Sequence, residues 1–429
     1  MFSFKKAAAG VLSCTMLLGS LVISGCSDSN TSGAQSADNT SNGSSTAHQG
    51  EIKDISSVEL VKDMKIGWSL GNTLDGGNEV NRGQAPGAIE KSWGNPDTTK
   101  EMIDEIKKAG FNVLRVPTTW DWSTGEAPEY KISDEWFARV KEIVDYGMEN
   151  DMYVILNIHH ETWHDPLEAN YEAASDRLKK VWTQIGNYFK DYDEHLIFEG
   201  LNEPRVRNSD EEWNGGSDAT REVVNKLDAD FVSTIRSLDG NNKLRHLMIP
   251  GYAASSSEVA LKALKIPEND DKLIVSVHAY IPYNFALSDN KRSNKWVACK
   301  EGFTNDIDNL ADMLKTLFTD KGQAVIIGEF GARSKDNEKY RAEWAKYYVT
   351  KMKTVGVPCV WWDNGAFTGS GELFGLFDRR NLEWRYPLLK DALISASNGE
   401  YTVDGLKSDT AILDELKKDI AQSKNSSAE

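Results

Sequence analysis

Two glutamates stand where apolar runs end. Glu203 closes Leu196-Ile197-Phe198-Glu199-Gly200-Leu201-Asn202-Glu203-Pro204, and Glu329 follows Ala324-Val325-Ile326-Ile327-Gly328. A carboxylate at the end of a buried strand is costly unless it has a partner or a task. Two such acids are what cleavage of a glycosidic bond needs: one protonates the leaving oxygen, the other attacks or activates water. Each also has a plain structural reading. Glu329 could be an ion-pair acid, and Asn202-Glu203-Pro204 could be a simple turn.

Acids this far apart in the chain meet only if the elements between them bring them together. Eight apolar runs read as strands: Lys65–Leu70, Asn112–Val116, Tyr153–Ile158, Leu196–Leu201, His246–Ile249, Leu273–Val277, Ala324–Ile327 and Cys359–Trp362. Most are continuous Val/Ile/Leu runs, as expected for strands covered on both faces. Helical stripes fall between them. Thr98 with Glu101 reads as a capping box, Met102, Ile103 and Ile106 as one face, and Gly110 as the stop. Leu178, Val181, Trp182, Ile185 and Phe189 form a second stripe, Val224, Leu227, Phe231, Ile235 and Leu238 a third, and Ile307, Leu310, Leu314, Leu317 and Phe318 a fourth. Strand–helix alternation of this kind predicts a TIM (β/α)8 barrel in an α/β chain, with a doubly wound open sheet as the alternative. Gly67-Trp68-Ser69-Leu70-Gly71-Asn72 lacks dinucleotide-fingerprint spacing, and there is no internal repeat.

A barrel collects its chemistry at the carboxyl ends of its strands. Those ends carry Asn72, Arg115, His159 with His160, Asn202 with Glu203, His278 with Tyr280, Glu329, and Trp362 with Asp363. Arg115 could merely pair with an acid. His159 and His160 could be metal ligands, but adjacent strand positions point to opposite faces, and no further His or Cys stands at metal spacing, so no metal and no cofactor are expected. Trp93, Trp120, Trp122, Trp163, Trp213 and Trp296 lie among polar neighbours in the intervening loops. About half of these flat rings are expected to stack on sugar and the rest to pack loops.

Composition narrows the partners. The 429 residues carry a formal net charge of −17, with 40 % apolar and 10 % aromatic residues. That charge argues against nucleic acid or an anionic membrane surface and raises no objection to a neutral polysaccharide. Lys5 and Lys6 precede an apolar stretch from Ala7 to Ile23, and Ile23-Ser24-Gly25-Cys26 has the form of a bacterial lipobox. Residues 1–25 therefore read as an export signal, with Cys26 either lipidated or simply near an ordinary cleavage site. The protein is expected outside the cell, on the membrane's outer face or free, and removing both lysines takes its charge to −19. Residues 26–50, rich in Ser, Thr, Asn and Gly, read as a tether. Residues 51–395 read as the barrel domain and 396–429 as a polar tail, in which Ile412, Leu413, Leu416 and Ile420 make either a docked helix or a frayed end. Cys299 and Cys359 are either bridged or free.

Between about residues 55 and 395 the chain resembles glycoside hydrolase family 5, in particular the bacterial endo-β-1,4-glucanases that include xyloglucan-active members. The resemblance rests on Gly67-Trp68-Ser69-Leu70-Gly71-Asn72-Thr73-Leu74-Asp75, Leu114-Arg115-Val116-Pro117, Leu156-Asn157-Ile158-His159-His160-Glu161, Asn202-Glu203-Pro204, His278-Ala279-Tyr280, Gly328-Glu329-Phe330-Gly331 and Trp361-Trp362-Asp363-Asn364-Gly365, in that order. It implies an endo-acting, retaining, cofactor-free enzyme working on β-glucan, with xyloglucan, mixed-linkage glucan, mannan or xylan as rival substrates; the chain is separately expected to act as a monomer. A non-catalytic glycan-binding lipoprotein would be expected to lack one acid. The resemblance further implies Glu203 as acid/base and Glu329 as nucleophile, with Asn202 on the sugar 2-hydroxyl and Arg115 and Tyr280 beside Glu329. His159 and His278 would line the central subsite on a floor of Trp362, and Asn72, Trp93 and His160 would reach the non-reducing side. The acid must hold a proton, so burial and the charge of Glu329 are expected to raise the pKa of Glu203.

Overall fold

The computed structural model describes residues 48–414, 416 and 417. The leader, Cys26 and Ile420 lie outside the described residues. Eight parallel strands close into a barrel: β1 (Ile66–Leu70), β2 (Val113–Val116), β3 (Tyr153–Asn157), β4 (Leu196–Glu199), β5 (Leu247–Ser255), β6 (Leu273–His278), β7 (Ala324–Phe330) and β8 (Cys359–Asp363). Closure is made by β1 on β8, with Ser69 beside Trp362 and Leu70 beside Asp363. The helices that follow these strands in turn are α1 (Lys100–Ala109), α2 (Asp134–Glu149), α3 (Tyr171–Tyr188), α4 (Asp218–Ser237), α5 (Glu258–Ala263), α6 (Asn305–Leu317), α7 (Glu338–Thr354) and α8 (Pro387–Asn398).

The alternation of side chains along each strand divides the molecule into two apolar regions. Outward residues such as Leu114, Leu156, Phe198 and Ile327 pack under the helices with Trp182, Phe231, Leu310 and Trp344. Inward residues Val113, Ile155, Ile197, Met248, Ile274, Ile326 and Val360 fill the barrel's amino end, which the helix Ser57–Asp63 plugs with Leu60 and Val61. One step further along the strands the inward positions turn polar: Ser69, Arg115, Asn157, Glu199 and Ser276, all buried. That polar layer is the base of the site.

Local details depart from the sequence expectation at several places. α1 begins after Thr99, not Thr98, and no side chain caps it; the Thr98 amide instead donates to Glu90 at 2.5 Å, which removes Thr98 from the capping position. Gly110 does end the helix, at φ 112°. β5 runs on to Ser255 through a register shift, with Ala253 and Ala254 at positive φ, where a pattern of apolar residues gives no signal. β7 also continues past Ile327. Val277 pairs with Ile327 but His278 pairs with Glu329, so Gly328 is the extra residue of a bulge. Bulges re-aim side chains, and this one turns Glu329 into the barrel mouth. A Cβ on Gly328 would lie 2.8 Å from Ser276 Oγ and would displace a hydroxyl that donates to Glu199.

The packed structure reaches past both ends of residues 51–395. Gly50 N donates to Asp191 O at 3.0 Å, and α8 continues to Asn398. Leu416 is buried, with Ile412 and Leu413 partly buried against the main core, so this part of the tail docks. Cys299 and Cys359 are free thiols.

Candidate active site

Arg115 organises the mouth. It stands on β2 with no solvent exposure and spends its planar fork on three acceptors. Nε donates to Glu199 at 2.8 Å, Nη1 to Glu329 at 2.7 Å and Nη2 to Asn202 Oδ1 at 2.7 Å. Burial opposes its charge, but Glu199 and Glu329 outweigh burial and raise its pKa, so the guanidinium stays cationic. Glu199 is itself fully held, taking Asn157 Nδ2 at 3.0 Å and Ser276 Oγ at 2.6 Å. One side chain thereby ties β2, β4 and β7 together at a fixed spacing.

Glu329 receives a second hydrogen bond from Tyr280 Oη at 2.9 Å. Burial and the neighbouring Glu329 charge push the Tyr280 phenol well up, so it keeps its proton and donates. Across the mouth, His278 Nδ1 lies 2.8 Å from Glu203 Oε1 and 3.6 Å from Glu329 Oε2. One ligand atom from each of Glu203, His278 and Glu329 falls within 4.8 Å of the other two. A pair this close fits the about 5–5.5 Å that separates the two carboxyl groups in retaining glycosidases.

The expected rise in the Glu203 pKa is not what this geometry produces. Burial does push it up, but the His278 hydrogen bond and charge, with Arg205 and Arg115, outweigh burial and hold the carboxyl below its ordinary range. His278 moves the opposite way. Burial lowers it, yet Glu329 and Glu203 together raise it above the usual imidazole value. Glu203 and His278 thus share one proton, and its release belongs to the pair.

Trp362 and His159 form one wall, with stacked rings 5.7 Å apart and 6° from parallel. Trp362 faces inward on β8, whereas Trp361 is fully buried outward against Phe330 and Trp344. Gly71 makes room for Trp362: a Cβ there would lie 2.7 Å from the indole. Asp363 points away from the mouth. It accepts from Trp68 Nε1 and from the amides of Leu376 and Phe377, and so fixes the loop after β8.

His159 and His160 do not diverge. β3 ends at Asn157, both histidines lie beyond it, and strand alternation no longer applies. Their rings meet edge to face at 4.4 Å, and their Nε2 atoms lie 4.0 and 3.8 Å from Asp75 Oδ2. Asp75 also accepts from the amides of Asn72 and Thr73, and burial pushes its pKa up to about 6. Asn157 Oδ1 accepts from Thr118 N, so its Nδ2 is the group facing His159 Nδ1. His159 Nδ1 must then accept, which puts the ring proton on Nε2, where a metal would have to bind. Neither imidazole is within hydrogen-bond reach of Asp75, whose oxygens are taken by the two amides.

The loop tryptophans divide. Trp120, Trp122 and Trp296 are buried; Trp120 Nε1 donates to Asn157 O and Trp296 Nε1 to Phe303 O. Trp163 is half-buried, donating to Glu161. Trp93 stays exposed, with its ring 5.5 Å from that of His160. Trp213 is exposed beneath Arg205, whose guanidinium stacks 4.2 Å above it and whose Nη1 reaches the Glu203 carbonyl at 2.9 Å. Sequence reasoning assigned no part to Glu199, Asn157, Ser276, Asp75 or Arg205. The one usable signal was an acid, Glu199, inside an apolar strand.

A closed parallel barrel with two carboxylates facing each other across its mouth defines a glycoside hydrolase. The cellulase family, glycosyl hydrolase family 5, matches residues 75–368. Endoglucanase B of Neocallimastix patriciarum is 49 % identical over 349 residues, 80 % of this chain and 72 % of that protein. Endoglucanase A of Ruminococcus albus is 45 % identical over 354 residues, 81 % of this chain and 94 % of that one. Among solved structures, a GH5-4 broad specificity endoglucanase from Ruminococcus champanellensis with bound cellotriose superposes with a TM-score of 0.77 at 43 % identity, covering 80 % of this chain and 99 % of that one. The chain belongs to glycosyl hydrolase family 5, a retaining family.

Proposed function

We propose that this endo-β-1,4-glucanase works by double displacement with Glu329 as nucleophile and Glu203 as acid/base. The observation that carries the assignment is the approach of the two carboxylates to within 4.8 Å in one mouth. Arg115 and Tyr280 each donate a hydrogen bond to Glu329 and hold it aimed, as attack on the anomeric carbon requires. The proton held between His278 and Glu203 goes to the glycosidic oxygen, and the leaving chain departs as an alcohol. Glycosylation then removes the charge of Glu329. The pair loses the anion that favoured its proton, and Glu203 can take a proton from the incoming water. Asn202, oriented by Arg115, offers its amide to the 2-hydroxyl. Trp362 is the sugar floor beside His159, and Asn72, Trp93 and His160 hold the sugars on the non-reducing side.

Glu329→Ala is expected to lose nearly all activity and regain part of it in azide, releasing an α-glucosyl azide from a β-linked glucan. Glu203→Gln is expected to lose activity on polysaccharide. Near-full activity in either variant, or an α-anomer as the first product of the unaltered enzyme by proton NMR, would remove the assignment. The broad specificity named for the Ruminococcus champanellensis relative supports xyloglucan and mixed-linkage glucan as further substrates here. Reducing-sugar release across purified β-glucan, xyloglucan, mannan and xylan tests that breadth.

The enzyme is further proposed to act as a monomer, because one chain supplies every group in the mouth, and to act outside the cell, held by a lipid on Cys26. Lys5, Lys6 and the run into Ile23-Ser24-Gly25-Cys26 support that placement. No helix among the described residues is long and apolar enough to cross a membrane. Cys26→Ser is expected to abolish radiolabelled palmitate incorporation in a bacterial host; equal labelling would refute the anchor.

A further inference from the structure

At the barrel's amino end, opposite the mouth, a second cluster of chemistry-bearing groups has no part in glycan cleavage. A cavity of about 720 Å³ is lined there by His48, Lys107, Asp151, Asp193 and His195, among others. The chain arrives at it as an added edge. Gln49 bridges Tyr192 in antiparallel fashion, and Asp193 N donates to His48 O at 3.0 Å. The His48 and His195 rings lie 4.3 Å apart.

Asp193 fixes how both imidazoles face. Its Oδ2 lies 2.8 Å from His48 Nδ1 and its Oδ1 3.1 Å from His195 Nδ1. A carboxylate oxygen only accepts, so both Nδ1 atoms must donate. Both Nε2 lone pairs are then left to point elsewhere, and they converge on one group. His48 Nε2 is 3.3 Å and His195 Nε2 3.9 Å from Asp151 Oδ1, on a carboxylate largely open to solvent. With both Nδ1 atoms committed to Asp193, a cation seated between the two Nε2 atoms and the Asp151 oxygen would satisfy all three at once. A carboxylate behind metal-binding histidines is also the usual outer support that sets their tautomer. This is the reverse of the cleft trio, where the His159 proton occupies the inward position.

We propose that His48, His195 and Asp151 bind a divalent transition metal of the zinc class, with water completing the shell. Metal–ligand bonds of 2.0–2.1 Å in a tetrahedral site put ligand atoms about 3.3 Å apart. The His48–Asp151 spacing of 3.3 Å already matches, and His195, at 3.9 Å, has about 0.6 Å to close. His48 comes from the incoming segment, Asp151 from the turn before β3 and His195 from the turn before β4. The metal would therefore pin the segment around His48 to the back of the barrel. Lys53 lies on the rim but is taken by Glu194 at 2.7 Å, and Lys107 donates to the Asp151 carbonyl, so neither ammonium fills the gap.

The test titrates the metal-stripped full chain with Co²⁺, read by ligand-field absorption, and with Zn²⁺, read by calorimetry. One equivalent with a visible tetrahedral band is expected, lost in His48→Ala and in Asp151→Asn. Asp193→Asn is expected to weaken binding by about 10- to 100-fold. Hydrolysis of β-glucan should be unchanged by metal at this site and by His48→Ala, which alters only the chain's packed edge. Failure of the unaltered chain to bind either metal would overturn the proposal, as would an undiminished Co²⁺ band in His48→Ala, which would move the metal to another cluster such as the cleft histidines.

Discussion

Glu203 and His278 are 2.8 Å apart, and their opposed shifts fix the pH range in which the mouth holds the proton it needs. Burial acts against the charge on both; their mutual attraction overrides it, helped by Arg205 and Arg115 at the carboxyl and by Glu329 at the imidazole. The carboxyl titrates below its ordinary 4.5 and the imidazole above its ordinary 6.5, so the one-proton pair persists across the interval between them. The alkaline limb of kcat/KM should therefore lie above 6.5 and report loss of the shared proton. In His278→Asn the proton rests on Glu203 alone, without the imidazole that shared it. The alkaline limb should then move to lower pH, by about one to three units, the size of effect a close charged neighbour has. A pH–rate profile on a soluble β-glucan measures this, and an unmoved limb would mean that His278 takes no part in holding the proton. The sequence motif located both groups, but the direction of the Glu203 shift depended on a 2.8 Å contact and on Arg205, and no spacing in the chain discloses either.

Elements divide the work between the barrel's two ends. The amino end is closed by Leu60 and Val61 of the helix Ser57–Asp63 against Val113, Ile155, Ile274 and Val360, a packing role remote from the mouth. Leu60→Ala should therefore cost about 2–5 kcal/mol, as buried leucine truncations do, while leaving KM for β-glucan unchanged. Denaturant unfolding and steady-state kinetics on one preparation check this, and a raised KM at full folding would show the two ends to be coupled. The strands and the helical stripes were readable because they are long buried runs or strongly periodic. What escaped the pattern was irregular backbone: the Gly328 bulge that aims Glu329, the positive-φ extension of β5, and the turn past Asn157 that brings His159 and His160 together. The inward polar layer of Ser69, Arg115, Asn157, Glu199 and Ser276 was equally hidden, because it becomes a layer only when the strands close and their registers align.

Over the whole molecule, charge sets which polymers can approach. The formal net charge is −17, and the cationic groups nearest the reaction are already engaged: Arg115 by Glu199 and Glu329, Arg205 by Glu203 and Glu212. A neutral glucan feels little of this field, whereas carboxymethylcellulose carries the same sign as the protein and is repelled along its whole length. Screening separates the two cases, since the Debye length falls from about 30 Å at 0.01 M ionic strength to about 10 Å at 0.1 M. KM for carboxymethylcellulose should accordingly fall several-fold as sodium chloride is raised across that range, while KM for a neutral mixed-linkage glucan or xyloglucan stays flat and kcat is unaffected for either. Initial rates at matched pH and viscosity measure the difference. A salt response of equal size on both polymers would place the effect in the protein, at the ion pairs of the mouth, and not in the approach of the substrate.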